Sequence, residues 1–175
     1  MPPCLCEVSI NYGWESDDGF PRGVSLDRRT SSEVYGELNI LLTVESIRYE
    51  LAVTEVADGL NTMFLELLNV LAACCEDAEE RNCGFYRDFS MRREGARLLI
   101  QNNHWFNPDK TQFETSTEGL RCFSVDLKDI VRRSFLAAHN FHAEMIAAIG
   151  SGHTEIMAPF KSAVDECEAR AMKAL

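Results

Sequence analysis

The sequence predicts an α+β fold: an antiparallel β-sheet of about five to seven strands, with one long central helix and two C-terminal helices packed on one face. Three patterns predict it. Apolar residues alternate in the first third of the chain, they recur three and four apart in a long central segment, and two further helical segments close the sequence. Because 175 residues fit one domain, we expect a single domain over residues 1–175.

The first strand is predicted over residues 4–12, where alternate positions are apolar. Residues 17–19, Asp-Asp-Gly, are interpreted as a turn, because the alternating ligands and closing glutamate of a calcium loop are missing. Alternation resumes at Leu38 and changes phase after residues 45–46. A phase change of one residue indicates a bulge or a tight reversal between two strands.

The central helix is predicted from Glu55 to Glu80, with Thr54 as its N-cap. Residues 76–80 place four acids at the negative end of the helix dipole. Each such charge destabilises a helix end by roughly a few tenths of a kcal/mol. We therefore expect this end to fray, or its acids to serve an external purpose.

A hairpin is predicted next, with strands over residues 85–91 and 96–100 around a turn at 93–95. Residues 101–118 then form a polar stretch with embedded aromatic side chains. Loops of that length are uncommon unless they are functional or disordered.

A short strand over residues 120–125 leads to Asp126, the predicted N-cap of a helix that ends at Ile149 before a glycine. The last helix is predicted to begin at Pro159, because proline is tolerated in a first helical turn. On its outer side Glu166 and Arg170 have the spacing of an i,i+4 ion pair.

The negative charge is concentrated in one half of the sequence. Residues 1–80 hold 16 acids against 4 arginines, a net of −12, and residues 81–175 hold 12 acids against 13 bases, a net of +1; together they give −11. An acidic surface repels nucleic acid and anionic membranes and attracts basic proteins within about 8 Å, the Debye length in physiological salt. We therefore expect a basic protein partner, with no nucleic acid and no membrane, and leave the oligomeric state open.

The predicted partner-binding surface combines acids with aromatic anchors, because charge guides association while aromatic side chains supply most of the affinity. Its residues are Trp14, Glu15, Asp17, Asp18, Glu76, Asp77, Glu79, Glu80, Trp105 and Phe106. The leading hypothesis is an acidic, non-enzymatic protein-binding module, such as an immunity or inhibitor protein that neutralises a basic, nuclease-type bacterial toxin. A small acidic chaperone for a secreted effector is the second hypothesis, and it predicts a helix-mediated dimer.

An enzyme is the third hypothesis. His139 and His142 lie three apart on a predicted helix and could ligate one metal ion together with Glu144, His153 or His104, as in a small metal-assisted hydrolase. The sequence lacks the motif of two histidines four apart around a glutamate, so the histidines are interpreted as packing residues and no metal is predicted. It also lacks a phosphate loop and a dinucleotide fingerprint, so no cofactor is predicted.

The seven cysteines are odd in number and scattered, which is typical of free thiols in a reducing compartment, and the N-terminus has no signal-peptide pattern. We therefore expect a cytoplasmic protein. Cys4-x-Cys6 and the neighbouring Cys74 and Cys75 lack the two-residue spacer of a redox or zinc motif and are interpreted as buried apolar residues. A group of four arginines near the predicted hairpin is interpreted as internally paired or solvated: Arg87, Arg92, Arg93 and Arg97.

Overall fold

A computed structural model describes residues 4–27, 33–83, 89–102 and 122–175. Within these residues the chain is an α+β protein, which confirms the predicted fold class. Its strands are β1 (Cys4–Leu5), β2 (Glu7–Trp14), β3 (Ser16–Asp17), β4 (Phe20–Pro21), β5 (Tyr35–Val44), β6 (Ile47–Gly59), β7 (Arg81–Cys83), β8 (Phe89–Glu94), β9 (Arg97–Asn102) and β10 (Cys122–Asp126). Its α-helices are α1 (Leu60–Glu76), α2 (Leu127–Ile149) and α3 (Ala158–Ala174), and a 3-10 helix (Ser151–Ile156) joins the last two.

The strands form more than one sheet. The described strands pair in the orders β1-β10-β9-β8-β7, β2-β5-β6 and β3-β4. The pairings are antiparallel except for the short parallel contact of β1 with β10. Since β1 and β2 are separated only by Cys6, the segment predicted as one strand over residues 4–12 is shared between the two larger sheets.

Two tight turns have the backbone conformation that two-residue hairpins favour. Between β5 and β6, Glu45 and Ser46 have φ values of 49° and 84°, and between β3 and β4, Asp18 and Gly19 have φ values of 52° and 81°. Positive φ at both central residues is typical of a type I′ turn, whose twist matches that of the flanking strands. The predicted reversal after residues 45–46 and the predicted Asp-Gly turn are both confirmed.

The central helix is shorter than predicted at both ends. Residues 55–59 continue β6, which pairs with β5 as far as Gly59, and Gly59 occupies the N-cap position predicted for Thr54. The strand therefore takes five residues that the apolar spacing assigned to the helix, and at its end Asp58 and Gly59 pair with Gly36 and Tyr35 beyond a register shift. At the other end α1 stops at Glu76, so three of the four predicted terminal acids lie beyond the helix, with Asp77 as its C-cap.

The predictions for α2 and α3 are confirmed. The Asp126 carboxylate accepts a hydrogen bond from the backbone N–H of Asp129 at 2.9 Å, which makes it the N-cap of α2. Gly150, with a φ of 89°, ends the helix in a conformation that glycine adopts without strain. Pro159 lies in the first turn of α3.

The hairpin of β8 and β9 is also confirmed, with Glu94 opposite Arg97 across the turn. Residues 84–88, at the start of its first predicted strand, lie outside the described residues. So do residues 103–121, which include most of the predicted polar stretch and both aromatic anchors in it, Trp105 and Phe106.

Helix α1 lies at the centre of the core, packed against strands of both larger sheets and against α2 and α3. The Phe64 ring stacks on Phe141 of α2 at 5.3 Å, and Phe141 meets Phe160 of α3 edge to face at 5.4 Å. Tyr49 of β6 contacts Phe123 of β10 at 5.2 Å and so links the two sheets. Aromatic pairs of this geometry add about 0.5–1.5 kcal/mol beyond the area they bury.

No helix within the described residues is long and apolar enough to cross a membrane.

Candidate functional site

Trp14, the aromatic residue nearest the acids of the first loop, is held in place by α2. Its indole Nε1 donates to Glu144 Oε2 at 3.0 Å, and the Tyr12 hydroxyl donates to Glu144 Oε1 at 2.7 Å. Partial burial, together with this carboxylate, raises the pKa of Tyr12. Glu144 therefore serves to dock β2 on α2, and the structure does not bring it to the histidines as a metal ligand.

Directly after Trp14, three acids surround one arginine; we call Glu15, Asp17, Asp18 and Arg22 the hairpin cluster. Arg22 bonds the Glu15 carboxylate at 2.6 Å and lies 3.6 Å from Asp17. Asp18 occupies the turn, is exposed, and has no bonding partner among the residues that the structure describes. Three acids against one arginine leave this cluster with a net charge of −2.

The remaining predicted acids form a second group, the α1 C-terminal cluster: Glu76, Asp77, Glu79, Glu80, Arg81 and Arg170. Arg81 donates to both oxygens of Asp77 at 2.7 Å, and Asp77 also accepts from the backbone N–H of Glu79 at 2.8 Å. These hydrogen bonds, that from Arg81 foremost, lower the pKa of Asp77 to about 2. Asp77 thus organises the chain between α1 and β7.

Arg170 completes this second cluster from α3. It donates to the two carboxylate oxygens of Glu76 at 3.1 and 2.9 Å and to Asn69 at 3.3 Å. The predicted pairing of Arg170 with Glu166 is therefore wrong, because a fork-shaped guanidinium gains more from the two oxygens that α1 presents. Four acids against two arginines give this cluster a net charge of −2 as well.

The two clusters lie at opposite ends of α1. At its N-terminal end, the Glu15 backbone N–H donates to Tyr35 at 2.8 Å and that of Leu60 donates to Val34 at 2.7 Å, which places the hairpin cluster beside the start of the helix. With 17 residues, α1 extends for about 25 Å. That is roughly three Debye lengths, so the clusters act on a partner as separate surfaces.

Further acids extend the hairpin cluster along the three-stranded sheet. Glu7 and Glu50 are exposed on the face opposite the core, and their cross-strand neighbours on that face include Thr43 and Leu41. Glu37, also exposed, lies opposite Gly13, next to Trp14. We call the acids of the hairpin cluster together with Glu7, Glu37 and Glu50 the acidic face. Glu7, Glu37 and Glu50 are single acids on three different strands, so no local run of acids in the sequence indicates them.

The histidines gain partners that the sequence did not indicate. His139 Nε2 lies 2.8 Å from Glu168 Oε2, and ligand atoms of His139, Asp165 and Glu168 all lie within 4.8 Å of one another. Burial, and then the neighbouring Lys161 and His139, lower the pKa of His142. The other two proposed ligands do not join them: His153 lies 3.9 Å from Glu155, and His104 is outside the described residues.

The described cysteines of α1 are buried, as predicted. Burial raises the pKa of Cys74 to about 11 and also raises that of Cys75. A thiol that stays protonated at neutral pH is a poor nucleophile, so neither residue is suited to redox or covalent chemistry. The Cys4 side chain lies outside the described part of the structure.

The hairpin arginines are engaged within the protein. Arg92 pairs with Glu94 at 2.9 Å, Arg93 donates to the backbone oxygen of Cys75, and Arg97 donates to that of Ser124 at 2.6 Å. Arg87 is outside the described residues. The interpretation of internal pairing is confirmed for the three arginines described.

Comparison of the chain with models of known protein families gives no match, and comparisons with curated proteins and with solved structures find no similar chain.

Proposed function

We propose that this protein is an acidic, non-enzymatic binding module that captures a basic protein on its acidic face. The observation that carries the proposal is a set of six acids, three on the outward side of the three-stranded sheet and three on the hairpin at its end. A basic, nuclease-type toxin is the partner whose chemistry fits best, because its substrate-binding surface must be cationic to hold nucleic acid.

The charge that remains after internal pairing makes the acidic face a better binding surface for a cation than the α1 C-terminal cluster. Six acids of the acidic face, Glu7, Glu15, Asp17, Asp18, Glu37 and Glu50, stand against Arg22 and Arg48, which leaves a net of −4. The α1 C-terminal cluster has a net charge of only −2, and its carboxylates at residues 76 and 77 each accept two hydrogen bonds from one arginine. A cationic partner is therefore attracted more strongly to the acidic face.

Trp14, on the core-facing side of β2 and directly before the hairpin cluster, supplies an aromatic anchor beside that cluster. It is half-buried, packs against the core and is oriented by its bond to Glu144, so little conformational entropy is lost when a partner covers it. Tryptophan is among the residue types that most often dominate the binding energy of an interface.

The test is a pull-down from the native host's lysate, at low and high salt, with the tagged wild type and two charge-reversed variants. Asp18→Lys with Glu50→Lys alters the acidic face, and Glu79→Lys with Glu80→Lys makes the same charge change at the other end of α1. We expect one stoichiometric basic partner whose capture weakens with salt, is lost in the first variant and persists in the second, while melting temperatures stay within a few degrees.

Equal capture by the wild type and the Asp18/Glu50 variant would contradict the proposal. So would the absence of a basic partner at both salt concentrations.

A further inference from the structure

Helices α2 and α3 bring potential metal ligands together at one place. Asp165 and Glu168 are three apart on α3, and residues three apart share a helix face. His139 of α2 lies opposite them: its Nε2 is 2.8 Å from Glu168 Oε2, and ligand atoms of all three residues lie within 4.8 Å of one another.

The ligand atoms are close enough to converge on one ion. Those of His139, Asp165 and Glu168 lie within 4.8 Å of one another, and the closest two are 2.8 Å apart. In a tetrahedral zinc site with bonds of about 2.1 Å, ligand atoms are roughly 3.4 Å apart. His139 and Glu168 are partly exposed, so small rotations about their side-chain bonds can close the difference.

We propose that α2 and α3 hold a divalent transition-metal ion, with Zn²⁺ the best match, between His139, Asp165 and Glu168. Imidazole nitrogen with carboxylate oxygen suits Zn²⁺ and its neighbours, whereas Mg²⁺ and Ca²⁺ prefer oxygen alone. Such an ion would clamp the two helices together. The site lies apart from the acidic face and does not depend on the proposed function.

One cation already competes for this position. Lys161 donates to both oxygens of Asp165 at 2.5 Å and lowers the pKa of that carboxyl. An ion bound by Asp165 must displace this ammonium or share the carboxylate with it. We therefore expect Lys161→Met to raise Zn²⁺ affinity several-fold, and unchanged affinity in that variant would contradict ligation by Asp165.

The decisive measurement is calorimetric titration of Zn²⁺ into the tag-free, reduced full-length protein, with the Zn²⁺-induced rise in melting temperature as a second readout. We expect one ion per chain. Glu168→Gln and His139→Ala should each weaken binding by at least about tenfold, the lower bound for changes even beyond the direct ligands. Glu166→Gln, two residues away and exposed, and His153→Ala on the 3-10 helix are the matched controls and should bind like the wild type.

Glu168→Gln keeps the test valid if the His139 variant misfolds, because glutamine keeps the shape of the side chain. Its melting temperature without metal can be compared directly with that of the wild type. Titration with Co²⁺ distinguishes the proposed nitrogen and oxygen ligands from cysteine, since thiolate ligands give charge-transfer absorption. Failure of Zn²⁺ to bind, equal binding by Glu168→Gln, or a thiolate signature would each overturn the proposal.

Discussion

The hairpin cluster and the α1 C-terminal cluster carry the same net charge of −2, yet their acids serve different purposes. At the C-terminal end of α1, two arginines each donate two hydrogen bonds to one carboxylate, and those of Arg170 connect α3 to α1. At the hairpin, Arg22 serves two acids and Asp18 is left exposed in the turn.

The difference shows that a run of acids in a sequence does not measure the charge available to a partner. The contiguous acids of residues 76–80 look the more prominent, but Asp77 and Glu76 hold the chain together after α1. The sparser acids of the acidic face come from three strands and the hairpin, and those on the strands share the side of the sheet that faces away from the core.

Among the changes that compare the two ends of α1, the largest effect on stability is expected at Glu144, which holds Tyr12 and Trp14 beside the hairpin cluster. Glu144→Ala leaves a half-buried hydroxyl and an indole N–H without their acceptor. We expect it to lower the free energy of unfolding by about 1–2 kcal/mol, since water at this exposed carboxylate makes up part of the loss. Urea unfolding followed by tryptophan fluorescence measures the change.

Glu144→Gln is the matched control, because its amide oxygen still accepts one of the two hydrogen bonds, and it should lose less than Glu144→Ala. If both variants were as stable as the wild type, the docking of β2 on α2 would not depend on this residue.

A smaller effect on stability is expected at the C-terminal end of α1. Arg170→Ala removes the link between α3 and Glu76, and because both side chains are close to half exposed we expect a small loss of stability that shrinks with salt. Lys173→Ala, in the last turn of the same helix, removes an equal charge without a bonded partner among the described residues. Thermal unfolding at two salt concentrations compares them, and equal losses would show that Arg170 acts only through its charge.

Local patterns in the sequence predicted much of the fold. Period-two alternation located the strands, Asp126 and Gly150 marked the ends of α2, and the phase change at residues 45–46 marked a reversal, because each signal depends on a few neighbouring residues. The predicted start of α1 was wrong, since residues 55–59 fit a helical apolar spacing but continue β6, whose end pairs with β5 through Asp58 and Gly59, a contact distant in sequence.

The sites were harder to predict, because their members come from separate elements. Nothing near His139 in the sequence indicates Glu168, 29 positions away, and nothing near Trp14 indicates Glu144 on another helix. The sequence contains each residue, but only the packing of α2 against α3 and β2 brings the partners together.

The smallest effect concerns the acid end of the pH scale and distinguishes Asp77, which accepts two hydrogen bonds from Arg81, from Asp18 of the hairpin, which has no such partner among the described residues. Its pKa falls from the usual 3.8 to about 2, chiefly through Arg81, so the pair contributes stability above pH 3.8 that is lost as the pH falls through about 2. We expect the Asp77 carboxyl to titrate near pH 2 by NMR and Asp77→Asn to flatten the pH dependence of stability between pH 4 and 2. If Asp77 titrated at its usual pKa, the Arg81–Asp77 hydrogen bonds would not persist in solution. The contrast between the two clusters would then lose the contact on which it most depends.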